Sequence, residues 1–109
     1  MIIEDIARVF MYKGRTPEDC ALRMALIYTL YKDGYKVPHI TSALSVHRAS
    51  VTFACRKVQD MISIGDPLVT SLLEKLQEHS IRLVPYFEKI GGLYRTKAHI
   101  EVDNVKLIY

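Results

Sequence analysis

No run of about eighteen apolar residues occurs anywhere in the 109-residue chain, so a membrane-spanning helix is not expected. The amino terminus carries Glu4 and Asp5 where a secretory signal would be positive, so export by that route is not expected either. Cysteine is scarce. Cys20 and Cys55 lie far apart, neither belongs to a Cys-x-x-Cys pair, and both fall inside apolar helical patterns, which points to reduced core thiols and a cytoplasmic protein. The histidines at 39, 47, 79 and 99 show no metal-ligand spacing with the cysteines or with each other, so no metal is expected. A phosphate-binding glycine loop is also missing. Glu74 and Glu78 are one helical turn apart, an arrangement that suits acid–base chemistry only in a cleft, and an exposed helix face is the expected setting. These absences leave no support for an enzyme, a cofactor or a small-molecule substrate.

Half of the residues are apolar, which at this length allows one domain with one core and no disulfides or metals. The net charge of +3 says little by itself, but its distribution is uneven. Residues 13–60 hold eight Lys or Arg against four Asp or Glu, whereas residues 1–12 sum to −1 and residues 61–109 to zero. A basic excess confined to the middle is the footprint of a phosphate-binding face, with an ordinary solvated surface as the alternative.

Helical spacing dominates the first three-quarters of the chain. Ile2, Ile3, Ile6, Val9 and Phe10 form a stripe that predicts a first helix from Ile2 to Phe10. Gly14 breaks it, and Thr16, Pro17, Glu18 and Asp19 supply a hydroxyl cap, a first-turn proline and acids for the next helix, running to about Lys32. Little polar face is left between Leu22 and Tyr31, so this helix is expected at the centre, closed by Gly34 in a left-handed conformation. After Gly65, Asp66 and Pro67 open another helix with Leu68, Val69, Leu72, Leu73 and Leu76 on its apolar side.

Between these lies the spacing of a helix-turn-helix, over residues 37–62. Pro38 to about Leu44 predicts a short first helix with Ile40 and Leu44 inward; Val46 sits in the turn; Val51, Ala54, Cys55, Val58 and Ile62 face inward from a second helix, Arg48 to Ser63. Thr41 and Ser45 are small enough for close approach of the two helices. A left-handed backbone at Ser45 would cost roughly 1 kcal/mol, since glycine is the usual residue there.

This stretch resembles the C-terminal DNA-binding domain of the bacterial replication initiator DnaA, a Trp-repressor-like helix-turn-helix. The signature of that family runs roughly G-G-R-D-H-T-T-V-x-x-A-x-[RK]-[KR]-[IV], and Val51, Ala54, Arg56, Lys57 and Val58 fall in register with it. Met1 to Tyr12 looks like the family's opening helix, Ala21 to Leu30 like its long buried helix, and Asp66, Pro67, Val69, Glu74, Lys75 and Leu76 like its closing helix. The similarity covers roughly residues 1–80. The base-reading D-H-T-T quartet falls on His47, Arg48, Ala49 and Ser50, the paired glycines of the turn are missing, and the basic loop before the buried helix shrinks to Lys13, Gly14 and Arg15. What the resemblance implies is therefore the fold and the docking mode, in replication initiation or regulation, with the target sequence left open.

An outer face follows from 100° per residue along the second helix: Ala49, Thr52, Phe53 and Arg56 point away from the core, with His47, Arg48 and Ser50 at the positive helix end. Arg48 suits either a two-pronged contact to guanine or a phosphate, while Arg56 and Lys57 suit phosphates. His39 is expected to be solvated or to touch a phosphate. Phe53 has three readings: a thymine methyl, a partner chain, or cover by the final segment. Asp60 would repel DNA and marks the end of contact. Lys13 and Arg15 complete the expected double-stranded DNA-binding set, and a regulatory role in transcription is equally compatible. Homodimer or monomer stays open, and the alternative function is a protein–protein interaction module that reuses the fold.

For the remainder, Leu83, Phe87 and Ile90 suggest a second helical stretch, kinked at Pro85 and stopped by Gly91 and Gly92. Ile100 and Val102, then Asp103 and Asn104 as a turn, then Val105, Leu107 and Tyr109, form a weak hairpin pattern. The expected architecture is thus an all-α bundle over residues 1–90, with residues 91–109 a C-terminal appendage that is a short β-hairpin or an extended tail.

Overall fold

Helix α2 (Pro17–Lys32) is the hub of the fold, because six of its apolar residues are buried and every other helix packs against it. A computed structural model describes residues 2–11 and 15–107. Around α2 pack α1 (Ile2–Met11), α3 (Val37–Leu44), α4 (Arg48–Ser63) and α5 (Pro67–Gln77). Ala21, Leu22, Ala25, Leu26, Ile27 and Leu30 are all buried, meeting Ile6 and Val9 of α1, Ile40 and Leu44 of α3, Val51 and Ala54 of α4 and Leu76 of α5.

The helix ends follow the local chemistry. Thr16 caps α2 by accepting from the Asp19 N–H at 3.1 Å, with Pro17 in the first turn. At the other end Gly34 takes φ 94°, and the Tyr35 N–H reaches back to the Leu30 carbonyl. Asp66 caps α5 in the same manner as Thr16, accepting from the Val69 N–H at 3.1 Å. Asp19 is the one buried charged side chain among the described residues; its carboxylate accepts from both Nε and Nη2 of Arg8, at 3.1 and 2.7 Å, tying α1 to α2.

The all-α expectation is overturned. Residues 81–107 form a three-stranded antiparallel sheet, ordered β1 (Ile81–Ile90), β2 (Leu93–Val102), β3 (Val105–Leu107), and the fold is α+β. Helix ends at Gln77, and the segment read as a kinked helix through Leu83, Phe87 and Ile90 is strand β1. Three features explain the difference. Gly91 and Gly92, at φ 58° and 83°, make a two-residue turn whose handedness matches the twist of paired strands, so they join strands rather than stop a helix. Leu83 is in line with Phe87 and Ile90 at a helical spacing but also two residues from Ile81, and only the strand phase lets Leu83, Ala98, Ile100 and Val102 enter the core together. Pro85 sits on an edge strand, opposite Ala98. The Ala98 N–H points away from β1, to Ser42 Oγ at 3.3 Å, so this is a pair without mutual hydrogen bonds and the missing proline N–H costs nothing.

The turn at Asp103 and Asn104 is as expected, with φ 50° and 68°. Asp103 also ties the sheet to the end of α5. Its backbone N–H donates to the Ser80 carbonyl at 2.8 Å, its Oδ1 accepts from the Ser80 N–H at 2.8 Å, and its Oδ2 meets His79 Nδ1 at 2.5 Å. Tyr109 of the expected hairpin lies outside the described residues.

The sheet has two different ends. Its stem lies against α3, burying Leu83, Ala98, Ile100 and Val102, whereas beyond Tyr86 and Lys97 both faces are open to solvent. Phe87, Leu93 and Tyr94 are 76, 69 and 71% exposed.

Candidate nucleic-acid interface

Helices α3 and α4 form the helix-turn-helix that the apolar spacing predicts. Ile40, Ala43 and Leu44 are buried from α3, and Val51, Ala54 and Val58 from α4, with Cys55 partly so. Burial pushes the Cys55 thiol up, consistent with an inert packing role. The turn closes through Ser45, left-handed at φ 53°, ψ 46°, and the Val46 N–H bonds the Thr41 carbonyl at 3.2 Å. Serine thus occupies the left-handed position despite its Cβ.

His47 is the extended residue that starts α4, and no side chain caps the first turn. Its carbonyl takes the Ser50 N–H at 3.0 Å, leaving the imidazole uncommitted. His47, Arg48, Ala49, Ser50, Thr52, Phe53, Arg56 and Lys57 are all exposed, as the helical phase predicts. Ile62 departs from that phase: it is 43% exposed, lining an open groove with Tyr28, Thr29 and Lys32 of α2 and Leu73 of α5.

Around this face two flanks differ. Arg48, Thr52 and Arg56 line a groove with Tyr31 and Val37, on the side of the α2–α3 connection. On the other side, Arg15 lines a groove with His47, Ser50 and the turn residues Ser45 and Val46, so the basic residue before α2 comes beside the start of α4. Lys13 lies outside the described residues. Arg23 also borders this groove, but donates to the Val9 carbonyl at 3.1 Å.

Charge separates this face from the rest of the surface. Residues 34–59 contain four Lys or Arg and no Asp or Glu. Elsewhere Arg8 pairs with Asp5 and Asp19, Arg82 with Glu101, and Lys97 with Glu88. Arg15, Arg48, Arg56 and Lys57 form no ion pair among the described residues, and the nearest acid along the helix, Asp60, lies beyond them. Unpaired cations on one exposed face retain their full charge for phosphate oxygens.

Of the three readings of Phe53, cover by the final segment finds no support among the described residues: the sheet packs on α3, and the ring is 63% exposed. It rims a small apolar groove with Cys20, Met24 and Ile27 of α2.

Sequence reasoning missed the basic side chains of the hairpin. Lys97, His99 and Lys106 line a groove with Ser42 and Ser45, so they approach the helix-turn-helix turn from the side opposite Arg15. Only the strand assignment could have found them, since a helix through Pro85 sends Lys97 elsewhere. No helix among the described residues is long and apolar enough to cross a membrane. In comparisons with known proteins the chain matches no family model, and no curated protein or solved structure resembles it significantly.

Proposed function

We propose that this chain binds double-stranded DNA by laying the outer face of α4 in the major groove, as a binding module rather than an enzyme. The observation that carries the reading is the coincidence of two features on one helix. Its outer face is exposed from His47 to Lys57, and that same face holds Arg48, Arg56 and Lys57 without a carboxylate partner among the described residues. Arg48, Ser50 and Thr52, near the helix start, are the base-reading candidates; Arg15, Arg56 and Lys57 hold phosphates. The resemblance of Val51 to Val58 to the DnaA signature supports a role in replication initiation or its regulation, in a cytoplasmic setting, and a transcriptional regulator would use the same face.

A second reading is favoured by one observation, the exposed Phe53 beside Cys20 and Met24, which offers a protein partner an aromatic anchor. Salt separates the two. Fluorescence anisotropy on a pool of random duplex DNA at two salt concentrations is expected to give binding that weakens with salt and with Arg48→Ala and Arg56→Ala. No binding at low salt would sink the DNA reading and direct attention to Phe53.

A further inference from the structure

We propose that the three-stranded sheet, the β1–β2 hairpin with β3 beside its stem, is a second DNA-contacting element, whose basic stem grips the phosphate backbone beside the turn that delivers α4. The inference rests on the DNA reading above and adds to it a surface that the helix-turn-helix does not contain.

Position is the first argument. Ser45, in the turn, borders two basic grooves: one with Arg15 and His47, the other with Lys97 and Lys106. The two grooves therefore meet at the turn, with Arg15 in one and Lys97 and Lys106 in the other. A duplex seated on α4 meets its own backbone at this turn, where the sheet stands beside it.

Backbone polarity is the second. β3 is short and pairs only with Ile100–Val102 of β2, and Ser42 takes the next outward N–H, that of Ala98. Alternation then directs the N–H groups of Thr96 and Tyr94 to the same edge, where neither β3 nor Ser42 covers them. Lys106 and Lys97 border the groove at the start of this open edge, and Arg95 and Lys97 share one face of β2. Free N–H groups flanked by cations are donors for phosphate oxygens.

Side-chain chemistry is the third. Arg95 and Lys106 form no ion pair among the described residues, whereas Lys97 is held by Glu88 at 2.7 Å. At the tip, Phe87, Leu93 and Tyr94 are exposed, with the Lys89 ammonium 5.8 Å from the Tyr94 ring centre. Aromatic and basic groups on an extended ribbon suit the sugar edges and the minor groove. A second copy of the chain paired along the same edge would bring its Arg95 and Lys97 against ours, and like charges along an edge oppose strand addition.

The test uses the full chain with Arg95→Ala, Lys106→Ala and the double substitution, beside Arg48→Ala, in anisotropy titrations across a salt series. Both hairpin positions are exposed, and unchanged thermal unfolding verifies the fold. The double variant is expected to bind random duplex about tenfold or more weakly at low salt, with the salt slope reduced by about 1.8, as two lost phosphate contacts require. Binding and slope equal to the parent in the double variant, while Arg48→Ala still weakens binding, would overturn the hairpin proposal and leave the α4 reading intact. Failure of the parent itself to bind would remove both. Hairpin substitutions that alter sedimentation instead of the salt slope would overturn the proposal in favour of a second copy on the β2 edge.

Discussion

Helices α2 and α4 are equal in length, sixteen residues each, yet the fold uses them in opposite ways. Seven residues of α2 are buried, and three of its charged groups are engaged: Asp19 with Arg8, Arg23 with the Val9 carbonyl, Lys32 over the Tyr28 ring at 5.9 Å. In α4 only Val51, Ala54 and Val58 are buried, and the cations of the other face have no partner among the described residues. Packing thus accounts for most of the circumference of α2 and for only one side of α4. An exposed helix face that is basic and carboxylate-free, on a helix the fold secures from behind, is the surface on which the DNA-binding proposal rests.

That contrast can be broken most forcefully at Leu26, which is fully buried in α2. Leu26→Ala is expected to cost about 2–5 kcal/mol in chemical denaturation, while Phe53→Ala on α4 stays within about 0.5 kcal/mol of the parent. Equal losses at the two positions would mean that Phe53 is packed in solution, and the division between the helices would fall.

Acid titration probes the carboxylates that anchor α2 and the β2–β3 turn. The Arg8 guanidinium holds the Asp19 carboxyl below its ordinary value, and His79 with the Ser80 N–H does the same for Asp103. A carboxylate whose pKa is lower in the folded state contributes stability that is present above its unfolded value, near 3.8, and is lost as pH falls through the folded one. Thermal stability should therefore decline below about pH 4, more gently in Asp19→Asn and Asp103→Asn, which start lower at neutral pH. A parallel acid limb in parent and variants would show these pairs to be inert.

The smallest effect lies in the turn between α3 and α4. Replacing Ser45 by glycine removes the penalty of a left-handed serine but gives the unfolded chain more freedom, so Ser45→Gly should stabilise by a few tenths to about 1 kcal/mol. Destabilisation instead would assign the Ser45 hydroxyl a structural bond.

Much of this was legible in the sequence, and the reasons are local. Thr16-Pro17 and Asp66-Pro67 carry their helix starts in adjacent residues, and the Val51–Ala54–Val58 spacing fixes which side of α4 is hidden. The outer face follows by subtraction. β1 was not legible in the same way, because Leu83, Phe87 and Ile90 satisfy a helical period and its partner strand lies across the turn. Its best signal was Gly91-Gly92, which marks a helix end and a hairpin turn alike until the strands on both sides are paired. The basic groove at Lys97 and Lys106 could not be read at all, since it exists only once β2 is seated on α3.

The two tight turns of the sheet, at Gly91-Gly92 and Asp103-Asn104, have a kinetic consequence. Every strand pairing joins neighbours in sequence, so the ribbon can zip from its turns without closing any long loop. The helix-turn-helix is equally local. Long-range closure falls where α4 and α5 come back onto α2 and where β2 meets α3, at contacts such as the Ala98 N–H to the Ser42 hydroxyl, fifty-six residues apart. Folding of this chain therefore divides into fast local zippering and slower long-range docking, and the docking of β2 on α3 is also the event that assembles the groove between the hairpin and the turn.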